Sequence, residues 1–328
     1  MIREAAVRAE GHIRRTPMLE SDDLNRLAGR RVLVKAECLQ HTGSFKARGG
    51  WAALSAMAPD ARGLGVIAYS SGNHAQGVAR AAAAFGAPCA ILMPSDAPAV
   101  KIANTRALGA EVVPYARDAE DRDALGARLA EDRGLTLVKP FDDPNVVAGQ
   151  GTTGLEIAEQ AAQAGVTSAD VLTCCGGGGL AAGIALAVEA DAPGLRVRTV
   201  EPSGFDDMAR SLVAGERVGN AAASGSICDA ILTPMPGALT FPVLLRLAGP
   251  GLAVSDAEAL AAMRAAFDHL RIVLEPGGAV ALAAALVRSA SVEGDAVIVV
   301  ASGGNVDART FAAALGAQGN SGAMRKSA

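Results

Sequence analysis

Aromatic side chains are scarce in this chain of 328 residues: one Trp, two Tyr and seven Phe. The interior must then be filled by Ala, Val and Leu, which suits helices packed closely on a buried sheet. Cysteines are also few: Cys38, Cys89, Cys174, Cys175 and Cys228, with no CxxC pair among them. That excludes a disulfide framework and a zinc cluster, and points to a reducing cytoplasm. The adjacent Cys174 and Cys175 leave two options open, a strained vicinal disulfide or two small buried hydrophobes. No apolar run reaches the length of a membrane span, and Met1-Ile2-Arg3-Glu4 lacks the apolar stretch of a secretory signal. A charge excess is missing too: 30 Lys and Arg stand against 34 Asp and Glu, interspersed, for a net charge of −4. Neither nucleic acid nor a membrane is an expected partner.

What is present is alternation. Apolar runs at 32–37, 66–70, 89–93, 111–115 and 135–138 read as strands, and Ala-rich runs at 74–85, 97–108 and 119–133 read as helices between them. The order continues with helix 152–164, strand 171–175, helix 180–190 and strand 196–200. Helices 256–270 and 279–287, strand 296–301 and a last helix from Asp307 follow. Such a pattern predicts an α/β fold with mostly parallel sheets flanked by helices. Residues 203–240, rich in Gly and Pro, read as loops and short helices over the surface, and 319–328 as a disordered tail. Two lobes meeting at a cleft are expected, a large one from 1–41 and 140–318 and a small one from 42–139.

Three motifs carry chemistry. His41-Thr42-Gly43-Ser44-Phe45-Lys46 places a lysine after a small polar turn, at the start of a helical run over 47–57. That setting suits an amine that must lose its proton and reach a carbonyl carbon. Gly176-Gly177-Gly178-Gly179 lies between an apolar strand and a helix, where backbone N–H groups and the helix N-terminus can cradle a phosphate. Its competitor is a dinucleotide site, because Gly177 to Ala182 fits GxGxxA and Glu201 ends the next strand. Ser70-Ser71-Gly72-Asn73-His74 is the third, with Asn73 also placed to cap the helix after it.

These motifs, together with Ser302-Gly303-Gly304-Asn305 and in this order, resemble the fold-type-II (tryptophan synthase β-like) pyridoxal-phosphate (PLP) enzymes, specifically the threonine/serine dehydratase and serine racemase group. The resemblance runs from Arg14-Arg15-Thr16-Pro17 to about Asp307. It implies that Lys46 forms the Schiff base with PLP and moves the substrate's α-proton, with Phe45 packed near the cofactor. It implies that Asn73 meets the ring hydroxyl, that Gly176, Gly177, Gly178 and Gly179 hold the phosphate, and that Ser302 faces the pyridine nitrogen. Ser70, Ser71, Gly72 and His74 would form the turn that holds the substrate carboxylate, His74 standing behind it. Ser71 would either act as a second base on the opposite face or only orient the substrate. Glu201, Asp207 and the Phe205 carbonyl resemble a divalent-cation loop for Mg²⁺ or Ca²⁺, against the alternative of two solvated acids.

The implied activity is dehydration of an L-β-hydroxy amino acid, with L-threonine or L-serine as default, giving a 2-oxo acid and ammonia. Serine racemase, or a dehydratase for a larger or acidic substrate such as hydroxyaspartate or phenylserine, are the alternatives. Departures at Tyr69 and Lys139 motivate the last of these, and Cys228-Asp229-Ala230 is a further departure from the group's pattern. A homodimer or homotetramer is expected, and feedback through a regulatory extension is not.

Overall fold

The computed structural model describes residues 1–70, 72–97, 99–116 and 119–316. Among the described residues, ten strands form two sheets. Strands β1 (Met18–Leu19), β2 (Arg31–Lys35), β3 (Val66–Tyr69), β4 (Cys89–Pro94) and β5 (Glu111–Tyr115) come first. Strands β6 (Thr136–Leu137), β7 (Ala169–Cys174), β8 (Leu195–Pro202), β9 (Leu252–Val254) and β10 (Ala296–Val300) follow. The six-stranded sheet runs β1-β2-β10-β7-β8-β9 and the four-stranded sheet β5-β4-β3-β6. Only β1 pairs antiparallel; every other pairing is parallel. Parallel strands covered on both faces must be apolar throughout, and β10 (Ala-Val-Ile-Val-Val) is buried at every position.

The helix expected over 152–164 begins eight residues earlier, spanning Pro144–Gln163. Asp143 caps it by accepting from the amides of Asn145 and Val146, with Pro144 in the first turn. Its glycines read locally as breakers, but they are packing surfaces. A Cβ at Gly149 would meet the Arg48 carbonyl at 2.6 Å, and one at Gly151 the Gly183 carbonyl at 2.9 Å. Strand β9 and the helices Ile2–Ala9, Asp22–Ala28 and Thr240–Leu247 are additions that the alternation did not reveal. Residues 203–240 are not wholly superficial: the helix Asp207–Ala214 buries Asp207, Met208 and Ser211, and Cys228 and Ile231 join the main core. The expected tail lies outside the described residues. The five cysteines are free and buried, so the vicinal-disulfide option falls.

Behind the helix Lys46–Ala56 lies a buried charge network. Arg48 donates to both oxygens of Glu37, at 2.8 and 2.7 Å, and to both oxygens of Glu156, at 2.7 and 3.0 Å. Lys35 Nζ donates to Glu156 at 2.5 Å and to Gln160 and the Thr16 carbonyl, each at 2.8 Å. Burial alone would raise the Glu37 carboxyl, but the Arg48 guanidinium holds it below its ordinary value. Two acids from distant parts of the chain thus clamp the second residue after Lys46. Replacing Arg48 by Met strands the Glu37 carboxylate in the interior and leaves Glu156 only Lys35. The expected loss is about 3–5 kcal/mol of unfolding free energy in a denaturant titration, on the scale of breaking a buried pair.

Candidate active site

Segments that leave the carboxyl ends of β3, β7 and β10 line one cavity of about 590 Å³. That is where open α/β sheets present their ligands. Lys46 is the first residue of its helix. The turn before it holds Thr42 at φ 59°, a costly conformation for a β-branched residue, while the Thr42 carbonyl accepts from Asn305 Nδ2 at 2.7 Å. Phe45 donates its amide to the Ser302 carbonyl at 3.1 Å, tying this turn to the end of β10. Lys46 Nζ donates to the Pro140 carbonyl at 2.7 Å and stands 5.1 Å from the centre of the Phe45 ring. From the other side, a Cβ at Gly77 would lie 2.5 Å from the Lys46 carbonyl, so the helix Asn73–Phe85 presses directly on the lysine backbone. Burial lowers the ammonium to about 8, with no carboxylate at hand to offset it.

The glycine turn follows β7 and opens the helix Gly179–Asp191. Gly178 adopts φ 91°, the left-handed region. The Gly177 carbonyl is fastened outside by Thr240 Oγ1 at 2.5 Å and the Gly237 amide at 3.1 Å. A Cβ at Gly177 would strike the Phe141 ring at 2.3 Å. The first amides of the helix have no intrahelical acceptor and carry its partial positive charge, and all four glycines line the cavity. The dinucleotide alternative fails at its acid. Glu201 is fully buried and accepts from the amides of Met208 (2.9 Å) and Ala209 (2.8 Å), so it is not offered to a ribose.

Asn73 does not cap its helix; the cap position is Gly72, without a side-chain bond. The Asn73 side chain turns into the cavity instead. Its Nδ2 donates to Glu275 at 2.6 Å and its Oδ1 accepts from Asn305 at 2.7 Å. Both outer partners settle its amide orientation and leave one N–H for a ligand. Ser70, Gly72 and His74 line the same wall, with Ser70 Oγ accepting the Gly72 amide at 3.1 Å. Ser71 lies outside the described residues. His74 Nε2 meets the Val138 carbonyl at 2.9 Å, its Nδ1 is buried without a partner, and burial together with Lys46 lowers it to about 3, so the ring is neutral. Ser302 lines the cavity beside Cys174, 3.1 Å from its sulfur. Tyr69 lines it too, while Lys139 stands in an adjoining hollow.

Glu275, Asn305, Lys101 and Arg122 belong to this cavity and were not singled out from the sequence as site residues. For Glu275 a signal existed: an acid directly before Pro276-Gly277-Gly278 marks a helix start where another backbone comes close. Burial raises its carboxyl to about 7. Glu201 and Asp207 are both buried, not solvated, which removes the surface-loop alternative. Asp207 Oδ1 accepts from Asn220 at 2.7 Å, its Oδ2 is buried without a partner, and burial raises the carboxyl to about 6. Among the described residues, no group of three or more His, Cys, Asp or Glu side chains is placed to hold a metal.

A half-buried lysine amine, four glycines at a helix N-terminus, Asn73 and Ser302, all lining one cavity, suit a phosphorylated aromatic aldehyde bound through lysine. The geometry therefore defines an enzyme that works through such a cofactor. The chain belongs to the pyridoxal-phosphate dependent enzymes, whose family model matches residues 9–303. It is 42% identical over 312 residues to an L-threo-3-hydroxyaspartate ammonia-lyase of a Pseudomonas species, covering 95% of this chain and 96% of that one. It is 36% identical to a serine racemase of Oryza sativa subsp. indica, over 93% of this chain and 90% of the relative. The solved T.th. threonine deaminase superposes with a TM-score of 0.88 at 43% identity, over 93% of this chain and 97% of that structure.

The depressed ammonium sets a pH dependence. Because the neutral amine is the reactive form, the rate at which added PLP attaches covalently to the cofactor-free protein rises with pH and levels off above about 8. Stopped-flow absorbance checks this, and Lys46→Ala shows no attachment at that site.

Proposed function

We propose that this chain eliminates water from an L-β-hydroxy amino acid, giving a 2-oxo acid and ammonia, and that it prefers an acidic side chain, as in 3-hydroxyaspartate, to threonine or serine. The observation that carries the preference is Arg122, which lines the cavity that holds Lys46; Lys101 lines it too, but is paired with Asp229 at 3.2 Å. The Arg122 guanidinium is 5.4 Å from the centre of the Tyr69 ring, which holds it at the wall. The identity to a hydroxyaspartate ammonia-lyase supports the same choice.

PLP, when bound, supplies the electron sink that lets an α-carbon give up its proton. In this reading Lys46 Nζ would receive that proton, the β-carbon–oxygen bond would break, and the hydroxyl would leave as water with the proton that Lys46 took up. The released enamino acid then hydrolyses. Amides of the turn around Gly72 hold the α-carboxylate, and Gly176 to Gly179 hold the phosphate. Asn73 donates to the ring oxygen through its free N–H. Ser302 offers a neutral hydroxyl to the ring nitrogen, where a carboxylate would keep it protonated and favour a long-lived carbanion. Ser71 either orients the substrate or serves as the second base of a racemase. The large lobe of 1–41 and 140–318 and the small lobe of 42–139 belong to the same proposal, supported by the confinement of β3 to β6 to the second sheet.

A panel of L-threo-3-hydroxyaspartate, L-threonine and L-serine, read for oxo acid, ammonia and D-amino acid together, tests this. The expected kcat/KM for the acidic substrate is at least about tenfold above the others. Arg122→Leu lowers it by about ten- to a hundredfold while serine turnover is unchanged, on the scale of a hydrogen bond to a charged group. Equal kcat/KM across the panel overturns the acidic preference, and dominant D-serine formation replaces the lyase by a racemase.

The divalent-cation loop is the finer part of the same reading. Glu201, Asp207 and the Phe205 carbonyl would hold Mg²⁺ or Ca²⁺, and the buried, unpartnered Asp207 Oδ2 fits such an ion. Proton and cation compete for a carboxyl raised to about 6, so the rise in Tm on adding Mg²⁺ grows as pH passes upward through that value. In Asp207→Asn the rise disappears.

A further inference from the structure

We propose that Cys174 is a positioning residue for the cofactor: its thiol donates to Ser302 Oγ and so commits the Ser302 proton to the ring nitrogen. The proposal rests on the reading that Ser302 faces that nitrogen.

The two residues meet because their strands are neighbours. β10 pairs in parallel with β7, Val299 opposite Leu172, so the chain leaves both strands side by side. Cys174 ends β7 and Ser302 lies two residues beyond β10. The sulfur is 3.1 Å from Ser302 Oγ, and both residues are buried and line the cavity. The Ser302 backbone is held independently, its carbonyl accepting from the Phe45 amide at 3.1 Å. Only the hydroxyl rotor is left to be set.

A serine hydroxyl has one proton and can accept as well as donate. Facing an unprotonated pyridine nitrogen it must donate; facing a protonated one it must accept. A thiol that donates to the oxygen occupies a lone pair and leaves the hydroxyl proton free, which favours the donating arrangement and a neutral nitrogen. Burial raises the Cys174 thiol to about 11, so it carries its proton throughout the working range. The neighbouring Cys175 is equally buried, but its thiol meets the Gly176 carbonyl at 3.2 Å and does not touch Ser302. It provides the internal control.

The test uses holoenzyme carrying ¹⁵N-labelled PLP, with the pyridine nitrogen shift read by NMR and the cofactor dissociation constant by absorbance titration. In the wild type the shift is that of an unprotonated, hydrogen-bonded nitrogen. In Cys174→Ala it moves, and the dissociation constant rises about three- to tenfold. Cys174→Ser, which restores a donor, returns both toward the wild type, and Cys175→Ala leaves both unchanged. In a Ser302→Ala background, Cys174→Ala adds nothing further. If Cys174→Ala fails to fold, the comparison of Cys174→Ser with Cys174→Val carries the same test. Cys174→Ala matching the wild type in both readouts, while Ser302→Ala shifts them, overturns the proposal. If Ser302→Ala shifts neither, the placement of Ser302 is what fails.

Discussion

A lysine amine fixed at the wall of a cavity constrains almost everything else in this protein. Partly burying a lone ammonium is costly, and among the described residues no carboxylate is bonded to Lys46; its acceptor is the neutral Pro140 carbonyl. The side chain must be held there against its tendency to reach solvent. The backbone does this by leaving it no freedom. Arg48, two residues along the same helix, is locked by Glu37 and Glu156. Gly77 brings a second helix against the Lys46 carbonyl, and the Phe45 amide is bonded to Ser302. The strain at Thr42 fits this picture, because a backbone in a sparsely populated region persists only where its surroundings over-determine it.

The molecule separates two kinds of buried polarity. Behind the lysine helix, Lys35, Glu37, Arg48, Glu156 and Gln160 satisfy one another by direct hydrogen bonds. Such a network stiffens the region and has nothing left for a ligand. In front of the helix the polar atoms are only partly satisfied. His74 Nδ1 has no partner, Asn73 keeps one N–H, and the four glycines of the turn line the cavity. At Glu201 and Asp207, one carboxyl accepts from two amides and the other has a buried free oxygen.

On the proposed reading, specificity and chemistry are carried by different parts of the cavity. The reacting end is built from segments following β3, β7 and β10, where the strand ends cannot shift without disturbing a sheet. The end bearing Arg122 and Lys101 is built from helices of the four-stranded sheet's side, Arg122–Arg133 and Ala99–Ala107. Surface helices tolerate change better than buried strand ends. One cofactor chemistry can thus serve different side chains by altering the second group of residues alone.

The sequence by itself determined the chemistry of the cofactor site, because those signals are local. A lysine after a small polar turn, four glycines between a strand and a helix, and a serine after a buried strand each need only a few adjacent residues to be recognised. Most strands were legible for the same reason: β7 and β10 are nearly uninterrupted apolar runs. The tertiary structure decided what depends on residues far apart in the chain. Glu275 sets the direction of Asn73 across a separation of 202 residues, and no periodicity announces it. The glycines of Pro144–Gln163 are packing contacts only because other helices lie against them. Glu201 and Asp207 look like solvated acids until the fold buries them. Sequence shows which groups are able to do chemistry; packing alone shows which way they point, and what is left for them to bind.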